Sequence, residues 1–246
     1  MQEGLAIVTG ASSGIGAALT QRLAGSGRPV VAVARRGDRL EALRETHPSV
    51  IACQANVAEP NGRAAILNAV GDQPVTLVIH NAGVLEPVGP LVEQSPDAFR
   101  EALAVNLEAP IELTRVLVRH MPAGARILHI SSGAAHRALP GWGAYCISKA
   151  ALYMAYQILR DELHDRDIAV GSLRPGVVDT PMQTLIRAQN EQDFPAVERF
   201  RALKAMGELT SAEDAAAFIE AVANVRDAAR FSAEEWDIRE HSPVTG

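Results

Sequence analysis

Six short apolar runs, at 5–8, 29–34, 50–53, 75–79, 126–130 and 168–173, alternate with stretches whose apolar positions recur at helical spacing. Runs this continuous leave no wet face, so each predicts a strand buried on both sides, as in a parallel sheet covered by helices. Helices are predicted at 15–25, 38–46, 60–70, 96–120 and 144–165. The fourth begins at Ser95-Pro96, where serine can cap and proline suits the first helical position. The segment 182–207 is polar and helical in character, with Arg187, Arg199, Arg201 and Lys204, and reads as an inserted flap. Ser211 to Asp214 has capping-box spacing, with Asp in place of the preferred Glu or Gln, ahead of an Ala-rich helix. A short strand at 235–238 would close the sheet. No linker, charge run or repeat divides the chain, so 1–246 reads as one α/β domain: a Rossmann-type doubly wound parallel sheet of about seven strands, helices on both faces.

Composition narrows the setting. At 48% hydrophobic and 21% charged, the 246 residues describe a globular chain. No run of 18 apolar residues exists, so no membrane span is expected. The first residues read as a strand and not as a signal peptide, which makes a cytoplasmic setting the default expectation. Cys53 and Cys146 are too few for a disulfide scaffold and too isolated for zinc, and both read as packing residues. A net charge of −6 disfavours a nucleic-acid partner.

Candidate chemistry starts after the first strand, where Thr9-Gly10-Ala11-Ser12-Ser13-Gly14-Ile15-Gly16 leads into a helix. A glycine-rich turn there lets the backbone approach a pyrophosphate at the helix N-terminus. After the second strand stand Arg35 and Arg36, where an NAD-selective enzyme would offer an acid to the adenosine ribose. A guanidinium pair suits the 2′-phosphate of NADP(H), so that cofactor is favoured over NAD. The alternative is a solvated start to the next helix.

The 23 basic residues include only two lysines, Lys149 and Lys204. Lys149 lies four residues after Tyr145, on the same helical face. Chance places such a pair in roughly 2% of chains of this composition, so the spacing carries information. Carbonyl reduction puts negative charge on oxygen, and a phenol with an ordinary pKa near 10 serves as the acid best when an ammonium stabilises its anion. An orienting hydroxyl is also needed, and Ser132 at the end of the fifth strand can supply it, with Ser131 as the alternative.

Taken together, Gly10…Gly14-Ile15-Gly16, Asn81-Ala82-Gly83, Asn106, Ser132, Tyr145…Lys149 and Pro175-Gly176…Thr180 resemble the one-domain branch of the short-chain dehydrogenase/reductase family over about residues 5–180. The resemblance implies an oxidoreductase with Tyr145 as general acid/base, Ser132 polarising the carbonyl, and Lys149 lowering the tyrosine pKa and gripping the ribose. It implies that Asn106 holds a water in a proton relay. Asn81, Ala82 and Gly83 would flank the adenosine half, and Val178 and Thr180 would position the carboxamide. Where the family often has Asp-Val, this chain has Asn56-Val57, whose amide oxygen can still accept from adenine. His80 stands where the family has a first Asn and reads as a packed residue. The other histidines show no ligand spacing, so no metal is expected.

Within the family, 174–182 and 236–240 resemble the branch of sepiapterin and benzil reductases. Asp237 then either faces a pterin-like substrate or is a charge at the sheet edge. Trp142 and Met182 either wall an apolar or aromatic substrate or pack. The favoured reading is reduction of a small ketone, diketone or pterin; an epimerase-type reaction and a non-enzymatic NADP(H) sensor remain as alternatives. By resemblance, copies pair through helices 96–120 and 144–165 into a dimer or tetramer.

Overall fold

In the computed structural model, which describes residues 4–242, the first strand shows why the apolar runs are continuous. β1 (Leu5–Thr9) sends Leu5 and Ile7 into one core and Ala6 and Val8 into another, on the two sides of one sheet. The chain continues through α1 (Gly14–Gly25), β2 (Val30–Ala34), α2 (Gly37–Thr46), β3 (Val50–Gln54), α3 (Pro60–Val70) and β4 (Val75–His80). The second half carries α4 (Pro96–Leu103), α5 (Ala109–Leu117), β5 (Arg126–Ile130), α6 (Gly143–Leu163) and β6 (Ala169–Arg174). It finishes with α7 (Pro181–Arg187), α8 (Val197–Ala205), α9 (Ala212–Ala223), α10 (Ala228–Ala233) and β7 (Trp236–Asp237).

The strands form one seven-stranded sheet in the order β3-β2-β1-β4-β5-β6-β7, every pair parallel. Strand order reverses between β1 and β4, and the crevice beyond the carboxyl ends of those strands is where such sheets bind ligands. Leu19 and Leu23 of α1 with Phe218 and Ile219 of α9 cover one face; Ile66 of α3, Leu113 of α5 and Tyr156 of α6 cover the other. Among the described residues no helix is long and apolar enough to cross a membrane.

Three local expectations change. The helix predicted at 96–120 is interrupted by a π turn at Ala104–Glu108 and ends in a 3₁₀ turn at Val118–His120. The cause is Pro110, which has no N–H to give the carbonyl of Asn106 four residues earlier. Ser95 makes no side-chain cap, although Pro96 does occupy the first turn. At α9 the Ser211 hydroxyl caps the Asp214 N–H at 2.9 Å, while the Asp214 carboxylate, one methylene short of Glu, accepts from the Ser211 hydroxyl.

Candidate active site

Glycine at two positions lets the loop after β1 fold tightly against the loop after β4. Gly10 has φ +70°, and a Cβ there would lie 2.8 Å from Asn81 Nδ2 and 2.9 Å from Ala82 Cα; one on Gly16 would lie 2.3 Å from the Gly10 carbonyl oxygen. Thr9 Oγ1 accepts from the backbone N–H of Asn81 and of Ala82, each at 3.0 Å, and Asn81 Nδ2 donates to the Thr9 carbonyl at 2.8 Å. The Asn81 amide is therefore a strut within the loop pair. Ser13, the N-cap of α1, makes no side-chain cap, and the first turn holds no acid, so no carboxylate competes for the first N–H groups of α1, which would suit an anion.

Arg36 reaches across to that loop, donating to Ser12 Oγ at 2.9 Å and to Ser13 Oγ at 2.8 Å. With Arg35, Gln54 and Leu40 it lines an open cavity of about 510 Å³ at the ends of β2 and β3. Asn56 is already engaged: its oxygen accepts from Ala58 N at 3.2 Å and its nitrogen donates to Glu59 at 2.9 Å, leaving one lone pair on that oxygen. Val57 beside it is buried. After β6, Pro175 and Gly176 turn the chain, Val178 bridges to Thr210, and Thr180 comes so close to Gly14 that a Cβ there would sit 2.8 Å from Thr180 Cγ2. The glycine loop, the arginine pair and this turn thus all lie at the carboxyl ends of the strands, after β1, β2 and β6, and their donors would suit a dinucleotide phosphate group.

Tyr145 and Lys149 both point inward from α6, with the ammonium 5.8 Å from the phenol ring centre. Lys149 Nζ donates to the Ile130 carbonyl at 2.9 Å, and the Cα of Gly83 is open towards it: a Cβ there would be 3.8 Å from Nζ. It is the Ser132 hydroxyl, not that of Ser131, that bears on the Tyr145 phenol and favours its anion. Ser132 is itself fixed by the Ala134 N–H at 3.1 Å, whereas the Ser131 hydroxyl is buried without a partner. The electrostatics differ from expectation. Burial raises the Tyr145 phenol, opposed by the Ser132 hydroxyl, and burial also lowers Lys149 to about 8. At neutral pH the phenol keeps its proton and the lysine its charge.

The Asn106 side chain sits buried in the π turn with both amide hydrogens and one oxygen lone pair in use. Its nitrogen donates to the Val84 carbonyl at 2.9 Å and to Ser148 Oγ at 3.0 Å, and its oxygen accepts from Val84 N at 2.8 Å. The main-chain carbonyl of Asn106 has no α-helical donor, because Pro110 four residues on carries no N–H. His80 is packed as expected: it pairs with Thr114 at 3.0 Å, and burial lowers it to about 3, so it stays neutral. Ser148 was missed by sequence reasoning, yet positions 145, 148 and 149 share one helical face, which was the available signal.

Trp142 stacks on Phe194 at 4.6 Å and meets the Tyr145 ring edge-on at 5.7 Å, with Phe200 and Met182 in the same cluster. The polar stretch 182–207 is therefore folded down by its aromatic residues. Of the two readings open for Asp237, its surroundings match a charge at the sheet edge: it is fully buried at the β6–β7 pairing and bound by Arg174 at 3.2 Å and Arg239 at 2.6 Å. Burial alone would raise its carboxyl, but the Arg239 side chain and N–H, with the Arg174 charge, hold it below the usual carboxylate range. A lowered folded-state pKa stabilises the fold above the unfolded pKa, and that stability is lost as pH falls through the folded value. Asp237→Asn is expected to lower Tm at neutral pH and to narrow its gap from wild type on acidification; a pH series of thermal melts checks this.

Similarity agrees with the geometry. The family model described as short chain dehydrogenase matches residues 4–191. A benzil reductase ((S)-benzoin forming) of Bacillus cereus is 32% identical over 220 residues, covering 84% of this chain and 88% of that protein. Among solved structures, the KRED1-Pglu enzyme superposes with a TM-score of 0.87 at 31% identity, covering 94% of this chain and 99% of the other. A short chain dehydrogenase from Burkholderia cenocepacia in complex with NADP gives 0.82 at 30%, covering 96% of each. With the parallel sheet, the glycine loop and the buried Tyr145–Lys149 pair in place, these matches leave one conclusion: the chain belongs to the short-chain dehydrogenase family.

Proposed function

We propose that the chain is an NADP(H)-dependent carbonyl reductase acting on small ketones, α-diketones foremost, with Tyr145 as general acid/base. The observation that carries this is the buried Tyr145–Ser132–Lys149 group at the carboxyl end of β5, beside the glycine loop. Bound at that loop, a reduced nicotinamide cofactor would supply the hydride. The residues to hold it are the α1 N-terminus with Ser12 and Ser13, Arg35 and Arg36 at a 2′-phosphate, Lys149 at ribose hydroxyls, and Val178 and Thr180 at the carboxamide. Ser132 positions the carbonyl oxygen, and Tyr145 gives that oxygen its proton. A raised phenol pKa is no obstacle in this direction, because an alkoxide is a far stronger base than a phenolate. Lys149 returns a proton to Tyr145, and the Asn106 carbonyl is placed to hold the water that feeds it.

The substrate class is read from what adjoins Tyr145. The Trp142 ring beside it favours a flat apolar group, and the Trp142 indole N–H is buried without a partner, a donor that a second carbonyl beside the reacting one would satisfy. The benzil reductase relative, named for a diketone, supports this reading. With Asp237 spoken for, a pterin loses its anchoring acid. A sensor would gain nothing from a buried ammonium beside a phenol, and nothing specific favours an epimerase. Exposed Ile147, Met154 and Ile158 on α6 supply an apolar stripe for a second copy, in support of a homodimer or tetramer. The test is absorbance of NADPH consumed with an aryl α-diketone. Turnover is expected with wild type, and Arg36→Ala is expected to raise KM for NADPH roughly ten- to a hundredfold while KM for NADH stays within about threefold. Equal effects on both cofactors would refute the phosphate role, and no turnover of any carbonyl would refute the function.

A further inference from the structure

A row of polar side chains crosses the sheet beneath α6. His80 of β4 is in register with His129 of β5, and His129 with Ser172 of β6. The two imidazoles stack at 4.9 Å, and Ser172 donates to Glu235 at 2.7 Å. Glu235, just before β7, has a side chain only 5% exposed; it also meets His136 at 2.6 Å and Arg174 at 3.0 Å. His136, at 37% exposure, brings the row to the surface and packs edge-on against Tyr153 at 4.6 Å, one helical turn past Lys149. Lys149 caps the same row, bonding to the carbonyl of Ile130, next to His129.

Lys149 is 4% exposed, and the hydrogen bond of its ammonium to a neutral carbonyl does not balance its charge. A buried cation needs a counter-charge, and the groups around it offer one. On its own helix Tyr145 is protonated, and on β5 His129 is kept neutral by burial, so neither supplies it. Glu235 is the carboxylate whose field reaches the ammonium, opposing the downward push of burial. Facing Glu235 in turn are Arg174 from β6, His136 from the turn after β5 and Tyr156 from α6. Arg174 divides itself among Glu235, Asp237 and Glu240.

We propose that Glu235 is a positioning residue for the reductase reaction: paired directly with Arg174, its buried carboxylate acts on the Lys149 charge from across the polar row, and through His136 it fastens the turn that carries Ser132. The role in catalysis rests on the function proposed above, but the charge coupling is measurable without it. Because Lys149 and Lys204 are the only lysines, ε-¹³C-lysine labelling gives two side-chain signals, and Lys204→Arg assigns the remaining one. Lys149 should titrate at about 8 in the wild type. In Glu235→Gln the midpoint should fall by about one unit, and in Glu235→Asp, which keeps the charge but withdraws it by one methylene, by less. The alkaline limb of kcat/KM should move down with it. A folded Glu235→Gln whose Lys149 midpoint is unmoved overturns the proposal; if that variant does not fold, an unmoved midpoint in Glu235→Asp does so. A merely structural role would lower Tm and leave the titration alone. A wild type that titrates as stated yet reduces no carbonyl would sink the proposed function and leave the coupling standing.

Discussion

Tyr145→Phe is expected to lower kcat for diketone reduction by about 10³-fold while the affinity for NADPH changes less than about threefold. The substitution removes one oxygen from a buried ring that packs edge-on against Trp142, so the shape of the site is kept. What is lost is the proton donor to the developing alkoxide, a contribution made in the transition state and not in the bound ground state. The Ser132 hydroxyl keeps its bond from Ala134 N and cannot take over, because a serine hydroxyl is a much weaker acid than a phenol. Stopped-flow turnover and a fluorescence titration of NADPH separate the two quantities. A variant that keeps a tenth or more of the wild-type rate would remove Tyr145 from the chemistry.

Gly16→Ala should cost at least tenfold in NADPH affinity, together with a fall in Tm of several degrees. Helix propensity argues the other way, since Ala in a helix is better than Gly by about 1 kcal/mol. Sterics decide the outcome: the new Cβ would lie 2.3 Å from the Gly10 carbonyl oxygen and 2.6 Å from Asn81 Nδ2, the first of which is backbone and cannot rotate away. Forcing atoms into a close-packed site typically costs about 1–3 kcal/mol, and here the strain falls on the loop that must meet a phosphate. Every 1.4 kcal/mol of misplacement is about tenfold in binding. Thermal melts with and without NADPH measure both effects. A variant more stable than wild type with unchanged affinity would show that the loop is free to relax.

The strands were legible because burial on both faces makes a run apolar from end to end; the bounds of β5 at Arg126–Ile130 could be read from the letters alone. The catalytic spacing was legible because Tyr145 and Lys149 are local to one helix. Pro110 could have revealed the break in the helix predicted at 96–120, since proline interrupts the ladder four residues earlier, but the strong apolar period around it masked the signal. Arg239, two residues on, was a local hint to the pairing of Asp237, but its second partner Arg174 lies on another strand, and only the β6–β7 register brings those two together. Glu235 was invisible for the same reason: Ser172 and His136, which hold it, come from distant segments. The direction of the Tyr145 shift was also beyond the letters, since burial is a property of the packed fold.

Deuterium transfer tests the central claim most directly. Wild-type enzyme supplied with NADPH carrying deuterium at the transferable ring position and an aryl α-diketone should yield a hydroxyketone with one deuterium on the new carbinol carbon. A product carrying only protium there, or recovery of undiminished labelled cofactor with the diketone unchanged, would contradict it.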